Sequence, residues 1–230
     1  MIHWELLERF GWRMVEGYSV TLQLTMISVA LGFAMAIPLA LIRVFASAPV
    51  RGAAFAYTYV FRGTPLLAQL FLVYYGSGQF QSELAAAGLW WLFRDPYFCT
   101  LLTFTLNTAE YQTEIFAGAI RAVPSGQIEA GRAAAMRFPL IARRIILPQA
   151  ARYGLRPLGN EVILMLKASA LASIVTVYDL LAVARLAFQR TYDFQAYLAA
   201  ALVYVLTVEA LRRLWNLADR RLNRHMPRLP

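Results

Sequence analysis

Gly17 to Ile42 reads GYSVTLQLTMISVALGFAMAIPLALI, 26 residues without a charged side chain. A bilayer core of about 30 Å takes roughly 20 apolar helical residues, because every backbone N–H and C=O must find its partner inside the segment. The run is long enough to cross with some tilt, and Pro38 is expected to bend its end. Glu5, Glu8 and Glu16 precede it where a leader would be basic, and no small-residue cleavage site ends a short apolar core. The run is therefore expected to stay in the mature protein.

Outward from this segment, four weaker spans follow: about 53–75, interrupted by Arg62-Gly63-Thr64-Pro65; about 98–119, carrying Asn107, Glu110 and Glu114; about 158–177, with Lys167 near its middle; and about 194–211, with Glu209 in its last turn. Any one of these could be the buried helix of a soluble α protein. Together they leave too little polar helix surface to face water. Composition agrees: 60% of the 230 residues are apolar and 15% charged, against about 45–50% and 25% in a soluble domain. The expectation is an all-α integral membrane protein with five transmembrane helices. Residues 1–16 form an outer N-terminal segment, 17–215 the membrane domain with a cytoplasmic segment at 121–157, and 216–230 a basic tail.

The net charge of +9 invites a nucleic-acid reading, but the basic residues are sorted by side. Fifteen arginines fall in the connections after the first and third spans and in the tail, with only Glu129, Glu209 and Asp219 beside them, a balance of +12. The other side holds Arg9, Arg13, Arg94, Arg185 and Arg190 against seven acids, a balance of −2. Positive charge collects on the cytoplasmic side of membrane proteins, so the N-terminus is placed outside and the C-terminus inside. The partner implied is lipid, with no nucleic acid.

Several chemistries are excluded. Cys99 is the only cysteine, and His3 and His225 stand near opposite ends, so no multi-cysteine cluster or histidine metal centre is available. Lys167 is the only lysine and follows Leu166, so there is no Walker A loop and any ATP-driven work belongs to a partner. No G-x-S-x-G, H-E-x-x-H or dinucleotide fingerprint occurs, and no internal repeat of the secondary-transporter kind. Neither catalytic residues nor a metal site are expected.

The cytoplasmic segment RAVPSGQIEAGRAAAMRFPLIARRIILPQAARYGLRP (121–157) is patterned. Pro124-Ser125-Gly126 opens a short helix with Gln127, Glu129 and Arg132 polar and Ile128 and Ala133 to Met136 small or apolar, and Glu129 suits the positive end of the helix dipole. Pro139 is expected to interrupt it and Pro148 to close a second piece, Leu140 to Leu147. Patterning alone allows either an amphipathic surface helix on anionic headgroups or a protein-docking helix.

The residues of this segment resemble a known family. Glu129-Ala130-Gly131 followed by Ile145-Ile146-Leu147-Pro148 is similar to the EAA motif of ABC importer permeases. The likeness extends to Phe61-Arg62-Gly63-Thr64-Pro65-Leu66-Leu67, Leu106-Asn107-Thr108, Thr113 to Ala119, Val123 to Gln127 and Gly159-Asn160-Glu161-Val162-Ile163. It covers about Tyr18 to Arg221 and is nearest to the histidine/arginine and opine permeases among the polar amino-acid group. Two departures stand out: Gly131 replaces the third motif residue, and the motif's usual glycine aligns with Ala135. The resemblance implies the type I importer permease fold in the bacterial inner membrane, with a coupling helix formed by Gln127, Glu129, Ala130, Gly131, Arg132 and Ala135. Its expected partners are a second permease subunit, identical or homologous, two cytoplasmic ATPases that hold the ATP and Mg²⁺, and an external solute-binding protein. No cofactor is expected on this chain.

Ionisable residues at membrane depth cost roughly 2.5–3.5 kcal/mol on insertion scales and so face protein or water. Five are expected: Arg62, Glu110, Glu114, Glu161 and Lys167. Asn107, Glu110 (or Tyr111) and Glu114 recur at helical spacing and share a face; Asn160, Glu161 and Lys167 do so more loosely. Arg62, Glu114, Glu161 and Lys167 could pair internally, with Arg62 structural. The related permeases usually carry a small apolar residue at 110, so Glu110 is an addition of this chain. Three acids against two bases leave one negative charge, which a basic amino acid could neutralise through bidentate hydrogen bonds. Asn107, Glu110, Tyr111, Glu114, Asn160, Glu161 and Lys167 are thus the expected pathway residues. Glu110 protonated, or paired with Lys167, remains an alternative. Other readings are a neutral polar amino-acid permease and an ion-coupled transporter using Glu110 and Glu114 as a proton relay.

Overall fold

The computed structural model describes residues 4–222. The chain runs through α1 (Trp4–Phe45), α2 (Ala48–Gly63), α3 (Leu66–Gln79), α4 (Gln81–Ala86), α5 (Trp90–Phe93), α6 (Pro96–Arg121), α7 (Ser125–Ala133) and α8 (Phe138–Ile141). A π-helical turn (Ala142–Ile146) leads into α9 (Leu147–Ala168), then a 3-10 turn (Ser169–Val175), α10 (Leu180–Thr191) and α11 (Gln195–Leu222). No strand occurs among the described residues.

Each segment expected to span falls on helix, with altered limits. Residues set apart as an outer N-terminal segment are helical from Trp4 and continuous with the first span. Phe10 and Met14 anchor that extension by packing on Leu180, Val183, Ala184 and Ala187 of α10 and Ala196 and Ala200 of α11. Pro38 stands inside α1, which continues to Phe45. The second segment is two helices: Pro65 disfavours helical backbone at Thr64, which is extended at φ −117°, ψ 140°. Residues 216–222 extend α11, and the rest of the expected tail lies outside the described residues, as do His3 and His225.

Two continuous helical stretches, Glu8–Phe45 and Phe138–Val175, are apolar and long enough to cross a membrane. The first packs along α6, where small residues allow close approach. A methyl on Gly32 would lie 2.6 Å from Thr108 Cγ2 and 3.2 Å from the Ala109 amide nitrogen. The central core joins Leu24, Leu70, Phe104, Met165 and Val175 from α1, α3, α6, α9 and the 3-10 turn. Thr21, Thr25 and Ser28 face this interior and return their hydroxyls to carbonyls of their own helix, so no hydroxyl is left orphaned there.

The stretch 178–193, expected as a loop, holds α10. Asp179 caps it by accepting the Ala182 amide at 2.9 Å, and the Leu180 amide donates to Thr21 Oγ1 of α1 at 3.1 Å. The cap is fully buried.

Candidate transport site and coupling surface

Three carboxylates of α6 and α9 enter the bundle, each in a different electrostatic setting. Glu114 Oε1 accepts two hydrogen bonds from Arg43, from Nη2 at 2.7 Å and Nε at 3.1 Å. Glu161 Oε1 accepts from Thr108 Oγ1 at 2.8 Å, linking α9 to α6. Glu110 is fully buried, and neither of its oxygens has a hydrogen-bond partner. Arg62 approaches it with Nε 3.6 Å from Oε2, close enough for attraction and too far for a hydrogen bond. The Arg62 guanidinium also lies over the Tyr111 ring, 5.6 Å from its centroid.

These pairings replace those expected. Arg43, assigned to the cytoplasmic side, reaches Glu114 because α1 runs on past its apolar stretch. Lys167 is exposed and forms no ion pair among the described residues. Arg43 and Arg62 thus face Glu114 and Glu110, while Glu161 has the Thr108 hydroxyl and forms no ion pair among the described residues. What distinguishes Glu110 is its missing hydrogen bonds.

Arg62 owes its place to Gln69, a residue that no motif or charge pattern marks. Pro65 breaks the helix and frees carbonyls at the end of α2. Gln69 Nε2 donates to Phe61 O at 2.8 Å, to Thr64 O at 3.1 Å and to Thr64 Oγ1 at 2.8 Å. Asn107 of α6 donates to Gln69 Oε1 at 3.1 Å and completes the brace. Asn107 is accordingly buried and spent on this brace, while Tyr111 on the same helix is partly exposed. The one signal for Gln69 was an amide in an apolar segment four residues after a proline.

On α9 the expected grouping divides. Asn160 and Lys167, seven residues apart, lie on the exposed face with Tyr153 and Leu164, whereas Glu161 is buried. A polar exposed face on a membrane helix requires water or another protein chain beside it. A small cleft of about 110 Å³ lies elsewhere, between Ser173, Thr176 and Tyr178 and the side chains of Arg185 and Gln189, and no membrane carboxylate lines it.

The coupling segment is built on a small core of its own, with Val123 from the connection, Ile141, Ile146 and Ala150 packed against Ala119 of α6. Along α7, Gln127, Glu129, Ala130 and Arg132 are exposed and Gly131 is buried. A methyl on Gly131 would lie 3.0 Å from Ile145 Cδ1 and 3.1 Å from Ile141 Cγ1, so glycine brings α7 down onto this core. Gln127 Oε1 accepts from Gln149 Nε2 at 2.6 Å, tying α7 to α9.

The end of α7 explains the other departure. The Met136 amide bonds to Gly131 O at 3.0 Å and the Ala135 amide to Arg132 O at 2.9 Å, a Schellman pair with Ala135 left-handed at φ 55°. Glycine is the usual residue in that conformation. The prolines also act differently from expectation. Pro139 stands in the first turn of α8 and starts it. Pro148 closes nothing: the π turn donates Leu147 N–H to Ala142 O and carries the chain directly into α9, accommodating the missing proline N–H.

Residues 22–224 match the family described as "Binding-protein-dependent transport system inner membrane component". The chain belongs to that family. This permease is 41% identical over 215 residues to the nopaline transport system permease protein NocM of Agrobacterium fabrum, covering 93% of this chain and 89% of the relative. It is 44% identical over 228 residues to the histidine/lysine/arginine/ornithine transport system permease protein HisM of Salmonella typhimurium, covering 97% and 96%. Among solved structures, an amino acid ABC transporter crystallised with histidines superposes with a TM-score of 0.84 at 32% identity, over 96% of the permease and 99% of that chain. The MetNI methionine ABC transporter, at 20% identity and TM-score 0.78, shares the fold. The permease thus has the type I importer fold, all-helical among the described residues.

Proposed function

We propose that this permease carries basic amino acids or opines inward as one half of an ATP-driven pathway. The relatives named for nopaline and for histidine, lysine, arginine and ornithine support that substrate class. The observation that carries it furthest is Glu110, a buried carboxylate whose two oxygens lack hydrogen bonds. An orphaned buried carboxylate is costly, and a guanidinium or ammonium supplies the missing donors. Tyr111 offers a cation the face of its ring.

In this reading the N-terminus is outside and the C-terminus in the cytoplasm. A second permease subunit lies against the exposed polar face of α9 bearing Asn160 and Lys167. Separate ATPases, holding ATP and Mg²⁺, dock on the Gln127, Glu129 and Arg132 surface of α7. A solute-binding protein delivers the amino acid from outside. Closure of the ATPases moves α7, and the core it shares with α6 and α9 passes the motion to the helices that carry Glu110 and Glu161.

Glu110→Gln, measured in the reconstituted transporter over a panel of basic and neutral amino acids, tests the site. Uptake of basic amino acids should fall at least tenfold more than uptake of neutral ones, a difference of about 1.4 kcal/mol. Equal losses would exclude charge recognition at Glu110. Persistence of uptake with inactive ATPases would favour an ion-coupled carrier instead.

A further inference from the structure

The Arg62 side chain occupies the position that a cationic substrate would take. Its guanidinium faces the same carboxylate and the same aromatic ring that make Glu110 and Tyr111 a cation site. Yet it holds that position loosely. The pair is 3.6 Å apart, Arg62 is half exposed, and its side chain donates no hydrogen bond among the described residues. Arg43 and Glu114, a few ångströms of helix away, show what a committed pair looks like, with two short hydrogen bonds and both partners largely buried. Arg62 therefore neutralises Glu110 without satisfying it.

The backbone is suited to such a loose hold. Arg62 is in the last turn of α2, ahead of Gly63 and the extended Thr64, and a methyl on Gly63 would meet nothing within 4 Å. The Gln69 brace fixes the chain just after Arg62 through Thr64 while its side chain stays at the surface. Backbone position and side-chain release are thus separated.

We propose that Arg62 is a tethered stand-in for the substrate cation, plugging Glu110 in the unloaded permease and leaving when a basic amino acid arrives. The plug balances the charge of Glu110 without substrate, and it sets a threshold. A ligand displaces Arg62 only by making the hydrogen bonds that Arg62 does not make. Neutral amino acids have no side-chain cation with which to do so. The proposal rests on the reading of Glu110 as the cation site, and its test separates the two.

The experiment is equilibrium binding of radiolabelled L-arginine and L-glutamine to the purified complex of permease and ATPases, free of nucleotide and binding protein. Removing the plug in Arg62→Gln should tighten L-arginine binding roughly tenfold, about 1.4 kcal/mol, and leave L-glutamine unchanged. Arg62→Lys, a shorter cation that stacks less well on Tyr111, should give a tightening of about two- to fivefold. It decides the matter should Arg62→Gln fail to assemble. Arg62→Gln with Glu110→Gln should bind no more tightly than Glu110→Gln alone. Unchanged or weaker L-arginine binding in both Arg62 variants overturns the plug, as does equal tightening for L-glutamine. If Glu110→Gln loses basic uptake selectively while the Arg62 variants do not tighten, the plug fails and the cation site stands. If Glu110→Gln leaves selectivity intact, the cation site fails and the plug with it.

Discussion

The indole of Trp215 lies directly on the backbone of Gly159, so that α11 and α9 meet with only that ring between them. Its Nε1 donates to Leu155 O at 2.6 Å, and Arg156 and Asp219 pair at 3.1 Å one turn further along. A methyl at 159 would lie well inside contact distance of the ring. Gly159→Ala should therefore cost about 1–3 kcal/mol, the usual range for overpacking. The check is the thermal midpoint of the detergent-solubilised protein. Gly118→Ala, where nothing lies within 4 Å, should be neutral or slightly stabilising. Equal losses in both variants would show that helix packing at Trp215 is not the cause.

Ala135 is left-handed and Gly131 is packed, so the two positions make opposite demands. Ala135→Gly should stabilise the protein by about 1 kcal/mol by removing the Cβ clash. Gly131→Ala should destabilise it by pushing α7 off Ile141 and Ile145. Transport per ATP hydrolysed should fall in Gly131→Ala and hold in Ala135→Gly. A stable Gly131→Ala protein with normal coupling would refute the packing role.

Removing Arg43 leaves Glu114 charged in a mostly buried place. Arg43→Ala should cost about 3 kcal/mol. Arg43→Ala with Glu114→Gln should recover most of that, because the stranded charge is gone. A double variant no more stable than the single would mean that Arg43 acts through packing, for which its position 4.9 Å from the Phe55 ring centroid offers a route.

Burial raises the Asp179 pKa to about 6, against the hydrogen bonds from the Ala182 amide and Tyr204 that favour the ionised form. Since the folded value lies above the unfolded one of about 3.9, this group's contribution is fully present at low pH and is lost as pH rises through about 6. Lowering pH from about 7.5 to about 5 should raise the thermal midpoint, by the equivalent of roughly 1.4 kcal/mol from this group, about half of its full contribution. Asp179→Asn, which keeps an acceptor for the cap, should flatten that dependence and be the more stable protein at about pH 7.5. An unchanged pH slope in the variant would assign the effect elsewhere.

Much of this architecture can be read from local pattern. The uncharged run from Gly17, the proline-serine start of α7 and the spacing of Asn107, Glu110 and Glu114 all concern neighbours on one helix, and helical periodicity reaches that far. The pairing of those residues does not follow from periodicity. Arg43 falls outside the apolar run, which ends at Ile42, while its helix continues and meets Glu114, 71 residues away. Asn107 and Glu110 share a helical face yet have separate tasks, one bracing Gln69 and the other facing Arg62. α10 is too short and too weakly apolar to read as a span, and only the structure shows Asp179 capping it. The exchange of glycine and alanine between 131 and 135 was visible, but its meaning needed the backbone angle at one position and the packing at the other.

The interruption at Thr64 and Pro65 bears on what the second segment needs beside it. Helices of 16 and 14 residues are about 24 and 21 Å long, and neither alone matches the bilayer core. The carbonyls opened between them are bound within the segment by Gln69, and the Gln69 amide oxygen in turn has its partner in Asn107 of α6. The second segment's buried polar groups are therefore fully paired only with α6 beside it, which makes that break a contact the two segments share.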